Sequence, residues 1–581
     1  MPLLFLLSHK DKCTYAIDIW GVYAIIKLKK CFHRRVEERR CLMKKRFLSC
    51  AIALLLVIAC ISGLSARAYA AENGPKITLN YSTKDVDVNH GFTLVATVQA
   101  QGSGTITWSS SDTYVASVSA SGYVSGKNAG KATITATYRG SDGSTTSKSC
   151  NVHVTVEDGL YYIKNAYSDL CMNTNGSAIS LQAQDPNENS RLDQLWYISY
   201  VAGYDRYSIR PISDFSLSMD VDVGNYVTVD QNEVGAYWDI VAYSFGFTIR
   251  YYGNSNENAK PVVADMPGSQ IYLGSWETNL KCHWELEKAY GVFLRDTDTK
   301  KLITNTDRIP LSYGMEHSLS DLGVEMETYG SMTGGMTWST SASSVATVNA
   351  SYKVVSQNAA IASTANITVR TYLNGKQYSA SMTVITVYPL SGYELDYEPE
   401  RWNGVQTEYG YYICQYTNCY AYALNVQTYP GTNSLWYMQP GQAAGIPLFS
   451  NIASITYDVV NYYVSLDADA LDFVFRPISK TDICSEGCYK VALVMDTGYD
   501  YHWYRQNADG TWSHKLATND VTNLDASGNI IYDPELADRD YSDNGGYVYT
   551  DYICFFEVSP LNFWYVRDMG EIMSQSVFDG C

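Results

Sequence analysis

The stretch TWSSSDTYVASVSASGYVS (107–125) occurs a second time in the chain as TWSTSASSVATVNASYKVV (337–355). Four apolar residues keep the same spacing in the two copies: Trp108, Val115, Ala116 and Val118 in the first, and Trp338, Val345, Ala346 and Val348 in the second. The flanking segments KATITATY (131–138) and ANITVRTY (365–372) alternate in polarity, which is typical of strands with one buried face. Short strands broken by glycine and serine predict a β-sandwich at each copy.

Both segments resemble the group-two bacterial immunoglobulin-like (Big) domains of surface proteins. The resemblance covers residues 75–156 in the first copy and 290–390 in the second. The second copy is divergent, because Tyr352 and Ala360 stand where the first has Gly122 and Gly130. The resemblance implies spacer or adhesive modules.

A different, threefold repeat lies between these two copies. Its units begin with an aromatic-x-Ile strand at 160–173, 206–220 and 246–265. Each unit ends in a strand that contains a tryptophan: Trp196, Trp238 and Trp284. Three such units resemble the ricin-type β-trefoil lectins over residues 159–289. The Gln-x-Trp signature of that family is intact at Gln194, but Ala236 and Cys282 replace the glutamine in the other units.

The lectin resemblance implies sugar-binding residues. Asn173, Asp220 and Asp265 occupy the place where the family has an aspartate that accepts hydrogen bonds from sugar hydroxyls. A carboxylate accepts two such bonds, and an aromatic ring covers the apolar face of a sugar. The expected partner is therefore a carbohydrate or glycoconjugate, with the cell wall as one candidate. Trefoils also serve as plain scaffolds, so that alternative stays open.

The repeats stop near residue 391, and the segment 391–581 reads as a separate α+β domain. TNCYAYALNV (417–426) predicts a helix capped by Thr417 or Asn418, with Cys419 in its first turn. A second helical stretch is predicted near 450–465 and a buried strand at 488–496. A helix N-terminus lowers the pKa of a thiol, so Cys419 is a candidate nucleophile.

Two strands of this domain carry the last histidines of the chain. The segments around His502 and His514 flank the loop NADG, which suits a three-residue hairpin loop with a glycine bulge. In that register Asn507 lies opposite Thr511 and Tyr504 lies opposite His514. The two histidines are then diagonal neighbours on one face of the sheet. A loop of two or four residues would place them on opposite faces.

This set resembles the papain-like NlpC and CHAP families of cell-wall hydrolases. The resemblance implies Cys419 as nucleophile, His502 as base and His514 as the group that orients the base, with Asp525 or Asp551 as substitutes in the third role. The chain departs from the NlpC signature Asp-Cys-Ser-Gly, since Asn418 precedes Cys419 and Tyr420 follows it.

Two alternatives compete with catalysis. Cys419 forms a disulfide with Cys414 or Cys554 in a binding domain, or a metal occupies the site. Cys484 and Cys488 make a single pair with a three-residue gap, which favours a disulfide or a free pair over zinc. We therefore expect no metal and no cofactor.

The N-terminal region predicts export. Residues 43–70 combine a basic start, a short apolar run and the ending Ala68-Tyr69-Ala70, as secretory signal peptides do. An uncleaved anchor is the alternative, and residues 1–42 are interpreted as an over-extended gene start. After residue 70 the chain holds 29 basic and 56 acidic residues, a net charge of −27. Such a surface repels nucleic acid.

The sequence as a whole predicts a secreted or cell-surface, multidomain and mainly β protein. Its two Ig-like sandwiches flank a β-trefoil, and an α+β papain-like domain follows. The leading hypothesis is a monomer that binds glycans and hydrolyses a peptide or amide bond, and that meets a membrane only through its signal peptide. The alternatives are a non-catalytic adhesin with structural disulfides and a toxin-like effector hydrolase.

Overall fold

The structure is a computed structural model of the 581-residue chain. It describes residues 5–8, 14–17, 74–100, 102–185, 191–231, 236–243, 246–251, 259–275, 280–406, 412, 415–429, 438–448, 454–517, 519–544, 546–561, 563–566 and 571–574. The predicted signal peptide at 43–70 and almost all of residues 1–42 lie outside these ranges. A short antiparallel pair, β1 (Phe5–Ser8) and β2 (Thr14–Ile17), is described near the N-terminus. No helix among the described residues is long and apolar enough to cross a membrane.

Residues 75–156, the first module, form a sandwich of short strands. The strands are β3 (Lys76–Leu79), β4 (Thr83–Asp87), β5 (Gly91–Thr93), β6 (Ala96–Gln99), β7 (Gly104–Ser110), β8 (Ala116–Val118), β9 (Tyr123–Gly126), β10 (Gly130–Gly140) and β11 (Thr145–Thr155). One sheet has the order β4-β11-β10-β7, with β4 parallel to β11, and the other has the order β5-β9-β8. Ala132, Ile134 and Ala136 on alternate positions of β10 are buried, as the sequence alternation predicts.

Residues 290–390, the second module, repeat this arrangement. The strands are β24 (Gly291–Asp296), β25 (Arg308–Ser312), β26 (Glu316–His317), β27 (Val324–Tyr329), β28 (Thr337–Thr340), β29 (Ala346–Val348), β30 (Val354–Ser356), β31 (Thr364–Leu373) and β32 (Lys376–Val387). The sheets run β25-β32-β31-β28 and β26-β30-β29, and β25 is parallel to β32. The strand order therefore matches the first module element by element.

Residues 159–289, the barrel, hold twelve strands between the two modules. The strands are β12 (Gly159–Asn165), β13 (Cys171–Asn175), β14 (Ala178–Gln182), β15 (Leu195–Val201), β16 (Arg206–Pro211), β17 (Ser218–Val221), β18 (Val227–Asp230), β19 (Trp238–Tyr243), β20 (Gly246–Tyr251), β21 (Lys260–Val263), β22 (Tyr272–Leu273) and β23 (Trp284–Ala289). Six of them pair in a closed ring, β12-β15-β16-β19-β20-β23 and back to β12. The other six form three hairpins, β13-β14, β17-β18 and β21-β22.

Three tryptophans anchor the three units of the barrel in the same way. Trp196, Trp238 and Trp284 are fully buried. Each indole N–H donates to a backbone carbonyl of its own unit, at 3.2 Å to Met172, 3.0 Å to Met219 and 3.1 Å to Val262. Because a buried N–H needs an acceptor, this bond fixes each ring in place. The threefold sequence repeat is thus a threefold structural repeat.

In the described part of the C-terminal domain, residues 391–581, two helices pack against a mixed set of strands. The helices are α1 (Cys419–Ala423) and α2 (Tyr457–Leu471), and the strands are β33 (Gln427–Tyr429), β34 (Phe475–Pro477), β35 (Tyr489–Asp496), β36 (Asp500–Gln506), β37 (Trp512–Lys515), β38 (Val521–Thr522), β39 (Tyr552–Val558), β40 (Phe563–Val566) and β41 (Glu571–Ser574). The main sheet has the order β34-β39-β35-β36-β37-β38. Short 3-10 turns complete the described chain at Arg191–Gln194, Leu280–Cys282, Ser320–Leu322, Pro399–Arg401 and Ser542–Asn544.

Both faces of the main sheet are covered. Leu493, Tyr501 and Trp503 pack with Cys419 and the apolar side of α2 on one face. Val494, Tyr504 and Trp512 pack on the other face against Ile531 and Tyr541 from the loops that follow β38. Strand β36 is consequently buried along almost its whole length.

Candidate functional sites

Asn418 caps the helix that begins at Cys419. Its side-chain oxygen accepts the backbone N–H of Ala421 at 3.0 Å, and its amide donates to the carbonyl of Met438 at 2.9 Å. This is the capping arrangement that the sequence predicts, with Asn418 rather than Thr417 in the role. The helix is only five residues long. Its dipole is correspondingly small, so it contributes little to a thiolate.

The Cys419 thiol lies in the apolar core. Only 7% of the residue is exposed, and it packs with Tyr501 and Trp503 of β36. Burial, with a smaller contribution from the nearby Asp500 carboxylate, raises the pKa of Cys419 to about 12. A thiolate is the reactive form of cysteine, and at neutral pH this thiol is protonated.

The two histidines lie side by side, as the hairpin register predicts. Tyr504 pairs with His514, and the N–H of Asn507 bonds the carbonyl of Thr511 at 2.8 Å. The Nε2 atom of His502 lies 2.9 Å from Nδ1 of His514. Burial lowers the pKa of His514 to about 4 and that of His502 well below its ordinary value. Both imidazoles are therefore neutral at neutral pH.

The structure does not bring Cys419 and His502 together. Successive side chains of a strand point to opposite faces, so His502 points away from the face on which Trp503 contacts Cys419. His502 packs instead against Tyr504 and Tyr549, with its ring stacked 5.1 Å from the ring of Tyr549. The nucleophile–base contact expected from the sequence is thus missing, because the helix covers the other face of β36.

The substitutes for the third role are also separated from the thiol. Asp525 accepts backbone N–H bonds from Asn529 and Asp538 in the loop beyond β38. Asp551 accepts the N–H of Thr497 at 2.7 Å. Asp500, which the sequence reasoning missed, is the carboxyl group whose charge acts on Cys419, and it accepts the hydroxyl of Tyr549 at 2.7 Å.

The disulfide alternative is not realised among the described cysteines. Cys419 and Cys554 are both free thiols, and Sγ of Cys554 lies 3.7 Å from the Tyr457 hydroxyl. Cys484 and Cys488 are also buried free thiols. Cys414 lies outside the described residues. Within the described ranges, no group of three or more His, Cys, Asp or Glu side chains is arranged to hold a metal ion.

Of the three predicted sugar-binding residues, Asn173 is buried. It is 8% exposed, and its amide donates to the carbonyl of Thr174 at 2.7 Å. A side chain in this position does not present its amide to a sugar, so Asn173 drops out of the candidate site. Asp220 on β17 is partly buried and accepts the N–H of Val221 at 2.7 Å.

Asp265 presents an accessible carboxylate in the third unit of the barrel. Its side chain is 42% exposed. One oxygen accepts the Lys281 ammonium at 2.8 Å and the other accepts the Tyr272 hydroxyl at 2.9 Å. Lys281 and then Tyr272 lower the pKa of Asp265 through these bonds, so the carboxylate stays charged. Two donors fix its orientation while each oxygen retains a further lone pair.

An exposed aromatic residue, Tyr226, is paired with Tyr272, one of the two residues that donate to this carboxylate. Tyr226 pairs with Tyr272 across an antiparallel bridge, and Tyr226 is 44% exposed. Side chains of directly opposed residues lie on the same face at about 5 Å between Cβ atoms. Asp265, Tyr272 and Tyr226 therefore combine a hydrogen-bond acceptor with ring surface, which is the chemistry that a sugar requires.

Sequence comparisons find one family and one related protein, and the family agrees with the first module. Residues 75–149 match the family of the bacterial Ig-like domain (group 2), and such domains are usually extracellular or surface-exposed. The chain is also 35% identical over 153 residues to "Insoluble matrix shell protein 1" of Ruditapes philippinarum, which is 26% of this chain and 87% of that protein.

Solved structures show only remote likeness. A mosquitocidal holotoxin aligns with a TM-score of 0.21 and 13% identity, covering 33% of this chain and 29% of the toxin. An endo-β-galactosidase from Clostridium perfringens aligns with a TM-score of 0.20 and 12% identity, covering 27% and 36%. The chain spans roughly a third of the length of these proteins, and at such scores the likeness carries no argument about activity.

Proposed function

Because the chain belongs to the family of the insoluble matrix shell protein 1 of Ruditapes philippinarum, we propose that it is an extracellular protein that attaches to matrix or cell-wall carbohydrate through the barrel. The Ig-like family match of residues 75–149 supports the extracellular location. The segment 43–70 would direct export as a signal peptide. The second module would separate the attached barrel from the C-terminal domain.

The closed ring, the three hairpins and the three equivalent tryptophans support a trefoil of the lectin type. The observation that carries the proposal is the half-exposed Asp265 carboxylate, held by Tyr272 and Lys281. Sugar hydroxyls would donate to this carboxylate, and the Tyr226 ring would cover the apolar face of the sugar. Asp220 is a second candidate acceptor in the neighbouring unit.

A glycan array probed with the chain from residue 71 onward tests the proposal. We expect binding to a defined set of glycans and at least a tenfold loss of affinity in Asp265→Asn. Asp239→Asn is the matched control, because Asp239 is also ion-paired, to Arg250 at 2.9 Å, but lies on the ring strand β19. Binding that Asp265→Asn leaves unchanged, or the absence of any glycan ligand, would overturn the proposal.

Hydrolysis is not part of the proposed function. The Cys419 thiol is buried and protonated, and His502 lies across the sheet from it. No observation on the described residues favours the toxin-like effector over the binding protein.

A further inference from the structure

A segment without regular secondary structure over most of its length covers the two buried histidines. This segment, residues 523–541, is named the strap. Its Leu524 carbonyl lies 2.9 Å from Nε2 of His514, and its Tyr541 hydroxyl lies 3.4 Å from the same nitrogen and 3.3 Å from the Tyr504 hydroxyl. The Ile531 carbonyl accepts the N–H of Trp512 at 2.7 Å, the Ile531 and Tyr541 side chains are buried against the sheet, and Glu535 forms an ion pair with Lys480. Its outer side is open to solvent, with Leu536 81% and Ile530 49% exposed. Two of the contacts that hold the strap therefore involve Nε2 of His514.

The hydrogen bonds fix where the protons of the histidine pair lie. A carbonyl only accepts, so Nε2 of His514 carries a proton and donates it to Leu524. In the neutral ring Nδ1 of His514 is then an acceptor, and Nε2 of His502 must donate to it. His502 therefore keeps its Nδ1 unprotonated. This single arrangement satisfies all three atoms.

A second proton does not fit this arrangement. Protonation of His514 at Nδ1 would set two N–H groups against each other at 2.9 Å. Protonation of His502 at Nδ1 would leave an imidazolium in a pocket of tyrosine rings. A buried charge is costly without a partner, and both histidines are 1% exposed.

The charged and titratable groups around the pair do not supply that partner. The groups that face it are the hydroxyls of Tyr504, Tyr541 and Tyr549, the carboxylates of Asp500 and Asp525, and the guanidinium of Arg539. Asp500 is occupied by the Tyr549 hydroxyl, and Asp525 accepts two backbone N–H groups. Strand β35 contributes apolar residues to this face. In the described structure, neither carboxylate is an ion-pair partner of either imidazole.

We propose that the strap is an acid-released cover of the sheet face, held shut by the neutral His502–His514 pair. When the strap lifts, the imidazoles of His502 and His514 become exposed to solvent, and each then binds a proton with an ordinary pKa near 6.5. Protons therefore bind the open state more tightly than the closed state. Below about pH 6.5 the equilibrium shifts toward the open state by up to about tenfold per pH unit for each histidine.

Hydrogen exchange read by mass spectrometry on the full chain, at pH 7.0, 5.5 and 4.5 with correction for the intrinsic rates, tests the proposal. Strap peptides should lose protection at least tenfold from pH 5.5 to 4.5, while peptides from the first and second modules keep theirs. Equal loss in all peptides would indicate global acid unfolding and would overturn the proposal. Strap protection that does not change with pH would do the same.

The double variant His502→Gln/His514→Gln adds a specific control. A glutamine amide can still donate to Leu524 but does not titrate, so the acid response of the strap should disappear. His317→Gln, in the second module, is the matched control and should retain the response. If the double variant does not fold, the comparison of strap and module peptides in the unmodified chain still decides the matter.

Discussion

The guanidinium of Arg295 lies over the ring of Phe215, 3.6 Å from its centroid, although the two residues belong to different parts of the chain. Arg295 is 2% exposed and donates to both oxygens of Glu327 in its own module, at 2.8 and 2.9 Å. It also donates to the Ile212 carbonyl of the barrel at 3.0 Å. One side chain therefore joins the barrel to the second module.

Arg295→Ala should destabilise this junction strongly. It leaves the Glu327 carboxylate, whose side chain is only 15% exposed, without its cation, and the loss of one partner from a buried ion pair typically costs about 3–5 kcal/mol. Differential scanning calorimetry of the chain would report the change. The control is Lys353→Ala, which breaks the exposed pair with Glu316 at 3.0 Å and should cost about 0–1 kcal/mol. Equal effects of the two variants would show that Arg295 is not a junction residue.

Trp238→Phe should cost the barrel about 1–3 kcal/mol from the unsatisfied carbonyl of Met219, in addition to the lost ring volume. Trp338→Phe in the second module is the comparison, because the described structure gives no hydrogen-bond partner to its indole N–H. Urea titrations of both variants measure the difference. A larger loss of stability in Trp338→Phe than in Trp238→Phe would contradict the anchoring role of Trp238.

Gly510→Ala should disturb the contact between the second module and the C-terminal domain. Gly510 has φ +78°, and an added Cβ would lie 2.5 Å from Cγ1 of Val387. Gly528→Ala is matched in backbone, with φ +81°, but has nothing within 4 Å of the new atom. It should cost only the left-handed strain of about 1–2 kcal/mol. We expect thermal unfolding to separate the two variants, and identical curves would contradict a close junction at Gly510.

Cys419 should react slowly with iodoacetamide in the folded protein. With a pKa of about 12, roughly one thiol in 10,000 is ionised at pH 8. Cys554, which is only half-buried, should be labelled first. Rapid labelling of Cys419 that is lost in His502→Ala would restore the hydrolase hypothesis, and peptide mass spectrometry distinguishes the two thiols.

The sequence predicted those parts of the fold that depend on local chemistry. The NADG loop specified the hairpin register, and the register placed His502 beside His514. The repeated tryptophans predicted three equivalent units, because each unit buries one tryptophan ring as its anchor. The bacterial Ig-like identity of the first module followed from its Trp108 repeat and is confirmed by the family match.

The face of β36 that α1 covers could not be read from the sequence. A strand with one solvent-exposed face alternates between polar and apolar residues. Strand β36 is buried on both faces, so its sequence does not indicate which face Trp503 and His502 occupy. The position of Cys419 depends on how a five-residue helix packs in three dimensions. The burial of Asn173 could not be read from the sequence for a related reason, since the burial of a polar residue in a hairpin depends on which other elements pack over it.

The parallel pairing in the two modules has a mechanical consequence. Strand β4 near the start of the first module is paired with β11 at its end over five residue pairs, and β25 and β32 do the same in the second. Force applied to the two ends of such a module shears these strands along each other. The hydrogen bonds between the strands then bear the load together instead of breaking one at a time. Single-molecule stretching should therefore show high rupture forces for both modules.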